Sequence, residues 1–173
     1  LVEMLGTKLP GDPGSDIYRA HWTAWVVGHS WPLDFLSPDH VHFPFGIDWL
    51  PFPAISLFLM GPALSLFSPD HVVSCWVILQ TSLGMLGCAW VAGIIGCREG
   101  GQWLAGLLFV TTPLLGGALR DGTLEILAAA WLPLQLGAMI LAARGNMRWG
   151  ILAGILYLVC CLESPYHGSF AAL

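Results

Sequence analysis

Val72 to Gly96 is a run of 25 residues without a formal charge. A bilayer core about 30 Å thick needs about 20 mostly apolar residues in helical form to cross it, so this run constrains the chain more than any other feature. The surrounding composition agrees. Of 173 residues, 56% are apolar and only 10% are charged, with a mean hydropathy of +0.73. Soluble domains carry about 25% charged residues, so a soluble globular enzyme is excluded. Six Lys and Arg residues and a net charge of −5 exclude a nucleic-acid binder. The abundance of Leu, Val, Ile, Phe and Trp excludes disorder. An integral membrane protein remains. Leu1 at the start, and Leu173 closing what reads as the opening of another helix, suggest a piece of a larger polytopic protein.

Three further spans follow from the pattern. Gln102 to Leu119 is interrupted by Pro113, Thr123 to Ala143 carries Glu125 near its start, and Trp149 to about Tyr166 carries Glu163 near its end. The linkers between them are short, which implies antiparallel neighbours. The expected fold is all-α: a polytopic transmembrane helix bundle with interfacial helices in a long outer loop. Residues 1–49 form the outer loop, 50–71 a Pro-rich surface or re-entrant helix and turn, and 72–173 a bundle of about four spans.

Leu50 to Phe67 leaves two readings open. It is apolar and long enough to span, but Pro51, Pro53, Gly61 and Pro62 interrupt it. Each proline removes a backbone donor, and unsatisfied backbone in lipid is costly. A helix along the membrane surface is the alternative. Arg98, Arg144 and Arg148 fall in loops on one side, which the preference of Lys and Arg for cytoplasmic loops marks as inside. If Leu50 to Phe67 does not cross, Asp12, Asp16, Asp48, Asp121, Glu125 and Glu163 meet the outer face together. If it crosses, the first three face the cytoplasm and the cluster dissolves.

Gly11 to Asp16 reads as a turn feeding a helix, with Ser15 as N-cap and Asp16 in the first turn. Tyr18, Trp22, Trp25 and His29 share a stripe on that helix, which suits an interfacial position. Asp12 and Asp16 can bind a divalent cation, supply a general base, or simply cap the turn. His40, His42 and Asp48 are a sparse metal constellation. Ser-Pro-Asp-His-Val occurs at 37–41 and again at 68–72, a repeat that reads as helix-start chemistry. The five cysteines include no Cys-x-x-Cys and read as small apolar residues. No phosphate-binding loop occurs.

The order of elements resembles the polytopic glycosyltransferases of the GT-C class, which include protein O-mannosyltransferases and the aminoarabinose transferases of lipid A. Asp16-Ile17-Tyr18-Arg19-Ala20 is similar to the acidic motif of their first outer loop. Leu50-Pro51-Phe52-Pro53 leading to Phe67 resembles their Pro-rich surface helix. Thr112-Pro113 followed by Arg120-Asp121-Gly122-Thr123-Leu124-Glu125 resembles a later span and its loop. The resemblance implies transfer of a sugar, with inversion, from a polyprenyl-phosphate carrier to an acceptor. The site would lie at the outer face of a bacterial or archaeal plasma membrane. Asp16 would be the catalytic base and Glu125 a second acid of the site. Arg19 and Arg120 would bind the substrate phosphate, and Asp12 and Asp48 would hold a divalent metal ion. Trp49 stands where some members place a phosphate-binding Lys beside the acid. A transporter or lipid-flipping protein is the alternative, because acids near broken helices also suit ion coupling.

Overall fold

The computed structural model describes residues 17–31, 53–121, 123, 126 and 128–172, with the side chains of residues 17–21, 30, 128 and 165 outside that description. All regular structure among the described residues is helical. The helices are α1 (Ile17–Ser30), α2 (Ala54–Leu64), α3 (Pro69–Ile94), α4 (Glu99–Val110), α5 (Pro113–Asp121), α6 (Trp131–Ala143), α7 (Met147–Glu163) and α8 (Pro165–Ala171), with one 3-10 turn at Ala128–Ala130.

Local chemistry sets most of these boundaries. Ser68 occupies the N-cap position of α3 and Pro69 its first turn, where a missing amide N–H costs nothing. The Ser68 hydroxyl pairs with His71 Nδ1 at 2.6 Å, so the second copy of the pentapeptide is a helix start. The first copy lies outside the described residues. Gly96 (φ 95) and Gly145 (φ 91) follow the ends of α3 and α6, in the left-handed conformation that stops a helix cheaply only at glycine. Pro113 separates α4 from α5, and Thr111 and Thr112 bridge the break by bonding back to the carbonyls of Leu107 and Phe109 at 2.9 Å each.

Two segments, Pro69–Ile94 and Glu99–Asp121, are long and apolar enough to cross a membrane, by length and composition. The second takes α4 and α5 together across the Pro113 break. α7 has 17 residues. Within the expected span from Thr123 to Ala143, the described structure includes a 3-10 turn at Ala128–Ala130 and the α-helix Trp131–Ala143, while Glu125 lies outside the described residues. α2 has 11 residues, which is about 16 Å of helix and roughly half a bilayer core. Of the two readings of Leu50 to Phe67, the described part is thus too short to cross.

α3 and α4 run antiparallel, with Gly84 against Phe109 and Gly93 against Gln102. At one end, Arg144 Nη2 donates to the Ile94 carbonyl at 2.7 Å, and Trp90 and Trp149 lie ring to ring at 5.6 Å. The end of α3, the end of α6 and the start of α7 therefore meet there, bringing Arg144 and Arg148 together. At the opposite end one apolar cluster joins four helices. Ala24 and Val27 of α1, Leu57, Met60 and Leu64 of α2, Val73 and Val77 of α3, and Leu115 and Ala118 of α5 pack into it. α1 contributes its buried Ala24, Val26 and Val27 and leaves Trp22 and Trp25 exposed, as the stripe of aromatic residues predicts. In the middle, α3 and α4 approach closely at Gly106, where a Cβ would stand 2.7 Å from the Met85 carbonyl oxygen.

Candidate functional site at the Glu163 junction

α7 stops at Glu163 because of the two residues that follow. Pro165 has no amide hydrogen to return to the preceding turn, and a residue before proline is pushed into extended backbone. Ser164 is extended (φ −160, ψ 137), and its hydroxyl accepts from the Tyr166 amide at 3.2 Å, capping α8. The sequence places His167 four residues after Glu163, and the break at Ser164 means the two do not share a helix.

The break sits inside the protein. Glu163 is fully buried, Ser164 and His167 nearly so. Two donors from distant parts of the chain converge on Glu163 Oε1. Ser56 Oγ, in the first turn of α2, donates at 2.8 Å, and Trp131 Nε1, opening α6, donates at 2.9 Å. Both donors are neutral. Oε2 is buried and accepts no hydrogen bond, and His167 Nδ1 is likewise buried without a partner. Burial pushes the His167 imidazole below its usual pKa, since the charged form loses its hydration. Gln135 Nε2 donates to the Ala171 carbonyl at 3.3 Å, which holds the end of α8 against α6.

An apolar cleft of about 390 Å³ opens beside this end, between α2 and α3. Met60, Ala63 and Phe67 form one wall, Val72 and Trp76 the other, with the exposed His71 among its lining residues.

The residues singled out by sequence divide sharply. Asp12, Asp16, Asp48 and Glu125, together with His40 and His42, lie outside the described residues. Arg19 belongs to α1, with its side chain outside the description. Arg120 is exposed near the end of α5, the helix whose Leu115 and Ala118 join the cluster with α2. Among the described residues, no group of three or more His, Cys, Asp or Glu side chains is gathered to hold a metal ion. All five cysteines are free. Glu163 was visible in the sequence as an acid closing an apolar run. Its partners Ser56 and Trp131 were not, although a buried indole N–H and a buried carboxyl both demand partners.

No protein-family model, curated protein or solved structure matches the chain.

Proposed function

We propose that this chain forms part of a multi-pass membrane glycosyltransferase of the GT-C type, moving a sugar from a polyprenyl-phosphate carrier to an acceptor at the outer face. The observation that carries the reading is the position of α2. This Pro-led apolar helix is too short to cross, and it is fixed by Ser56 to the bundle end that also holds Glu163. That arrangement suits a surface helix of an outer loop lying over a bundle. Arg144 and Arg148 gather at the opposite end, which suits a cytoplasmic face. The cleft between α2 and α3 has the apolar lining that a hydrocarbon chain requires.

In this reading Asp16 accepts the acceptor's proton as its oxygen or nitrogen attacks the anomeric carbon. The bond from that carbon to the carrier phosphate breaks, and the lipid phosphate leaves. Arg19 and Arg120 offset the charge that develops on the leaving phosphate. A divalent cation at Asp12 and Asp48 would supply further positive charge, and Glu125 orients groups in the site.

The test is Asp16→Asn in the full-length protein, assayed with a polyprenyl-phosphate sugar. Transfer should be lost while the amount of folded protein is unchanged, and a variant with ordinary activity would remove Asp16 from the role. Single cysteines at Ser15 and Gly122, in a cysteine-free background, should both react with a membrane-impermeant thiol reagent on intact cells. Labelling of only one of them would split the proposed site across the membrane.

A further inference from the structure

We infer that the break between α7 and α8 is a binding site for one small monovalent cation, with Glu163 Oε2 as its charged ligand. The inference rests on the junction itself and not on the glycosyltransferase reading.

Three features meet at the break. Glu163 is fully buried, its Oε1 is engaged by Ser56 and Trp131, and its Oε2 has no donor. An ionised carboxylate buried with one oxygen lacking any hydrogen bond or counter-charge is strongly unfavourable, and either a proton or a bound cation relieves it. The backbone next to it is also short of donors. Pro165 cannot return an N–H to the Cys161 carbonyl, and the Tyr166 amide is turned to Ser164 Oγ instead of continuing the helix. The Cys161 and Leu162 carbonyls thus lose the amide partners that a continuing helix would give them. They also form the negative end of the helix dipole, which favours a cation. Interrupted helices inside membrane proteins bind sodium in this way, through half-helix carbonyl ends.

The charge balance selects the ligand. One carboxylate and neutral carbonyls compensate one positive charge, whereas a divalent ion would leave an uncompensated buried charge. No described group of three His, Cys, Asp or Glu side chains is present for a transition metal. Oxygen donors are hard ligands and suit an alkali cation.

Sodium is the probe. The full-length protein in lipid nanodiscs is unfolded thermally in sodium chloride and in choline chloride at matched ionic strength. The wild type should gain stability saturably with sodium and not with choline, and radioactive sodium should bind once per chain. Glu163→Gln keeps the oxygen that Ser56 and Trp131 address, and puts a neutral amide donor where the cation would sit. It should lose the whole sodium-dependent shift. Glu163→Asp keeps the charge on a shorter stem and should need more than tenfold more sodium for half the effect. Equal wild-type stability in sodium and choline would overturn the inference, and so would a sodium response surviving in Glu163→Gln. If Glu163→Gln does not fold, an unchanged half-saturation in Glu163→Asp is equally fatal. Calcium replacing sodium at lower concentration would overturn the monovalent assignment. None of these outcomes alters the Asp16 test.

Discussion

Removing the Ser56 hydroxyl should reverse its effect on stability according to what stands at position 163. In the wild type Ser56 is fully buried and donates to Glu163 Oε1 at 2.8 Å. Ser56→Ala deletes one of two side-chain donors, while Trp131 Nε1 still serves that oxygen at 2.9 Å. The carboxyl is therefore weakened without being stripped, and the expected cost is about 1–2 kcal/mol. At 1.4 kcal/mol per decade, that is roughly a tenfold fall in the folded-to-unfolded ratio. In a Glu163→Leu background the hydroxyl is left buried with nothing to bond. Its removal then relieves an unmet polar group, so the same Ser56→Ala change should be neutral or stabilising by up to about 1 kcal/mol. The measurement is reversible unfolding in mixed micelles, followed by tryptophan fluorescence and by helical circular dichroism on all four corners of the cycle. Coupling of at least about 1 kcal/mol between the two positions is the signature of direct contact. Equal costs in both backgrounds would show that Ser56 and Glu163 do not depend on each other, and the junction described above would fall with them.

Two further consequences can be measured on the same preparation. Gly106→Ala drives a Cβ to 2.7 Å from the Met85 carbonyl oxygen and should cost about 1–3 kcal/mol by forcing α3 and α4 apart. Gly154→Ala, whose Cβ would meet nothing within 4 Å, should be neutral or stabilise by up to about 1 kcal/mol through helix propensity. A reversed order in thermal stability would refute the packing of this helix pair. His167 is one group expected to respond to acid. Burial lowers its pKa in the fold from the ordinary 6.5, so the unfolded chain binds the proton first as pH falls. Its contribution is present above about 6.5 and is lost on acidification through the window between the ordinary and the lowered value. His167→Phe should flatten the stability profile in that window, measured as the difference from wild type, and an unchanged slope would refute the assignment.

Residues close together in sequence announced themselves, and residues brought together by the fold did not. The uncharged run after His71 gave α3 almost to its ends, and Pro113 gave the break between α4 and α5, because both depend on neighbouring residues alone. Pro53 and the short apolar stretch after it pointed to a helix without deciding whether it crosses. Its described α-helix has 11 residues, shorter than a single crossing needs. Apolar composition alone does not separate the 3-10 turn at Ala128–Ala130 from the α-helix that follows it at Trp131–Ala143. The Glu163 junction was half legible. An acid ending an apolar run stands out, but nothing local marks Ser56, 107 positions earlier, or Trp131, 32 positions earlier, as its partners. The residues most suggestive of chemistry, Asp12, Asp16, Asp48 and Glu125, lie outside the described structure, so their roles rest on the resemblance.

The separation between Ser56 and Glu163 also sets a clock. A ribosome adding about 5–20 residues per second needs roughly 5–20 s to pass from one partner to the other. Once α5 has been made, α1, α2, α3 and α5 can gather into their shared apolar cluster, but α2 has nothing yet to fasten it from the far side. The last residue of α7 closes the circuit. Nascent chains arrested before Glu163 should therefore hold α2 only through its apolar contacts and surrender it readily to protease, whereas chains extended past α8 should protect it. The order of synthesis thus makes the N-terminal layer the first to be built and the last to be secured.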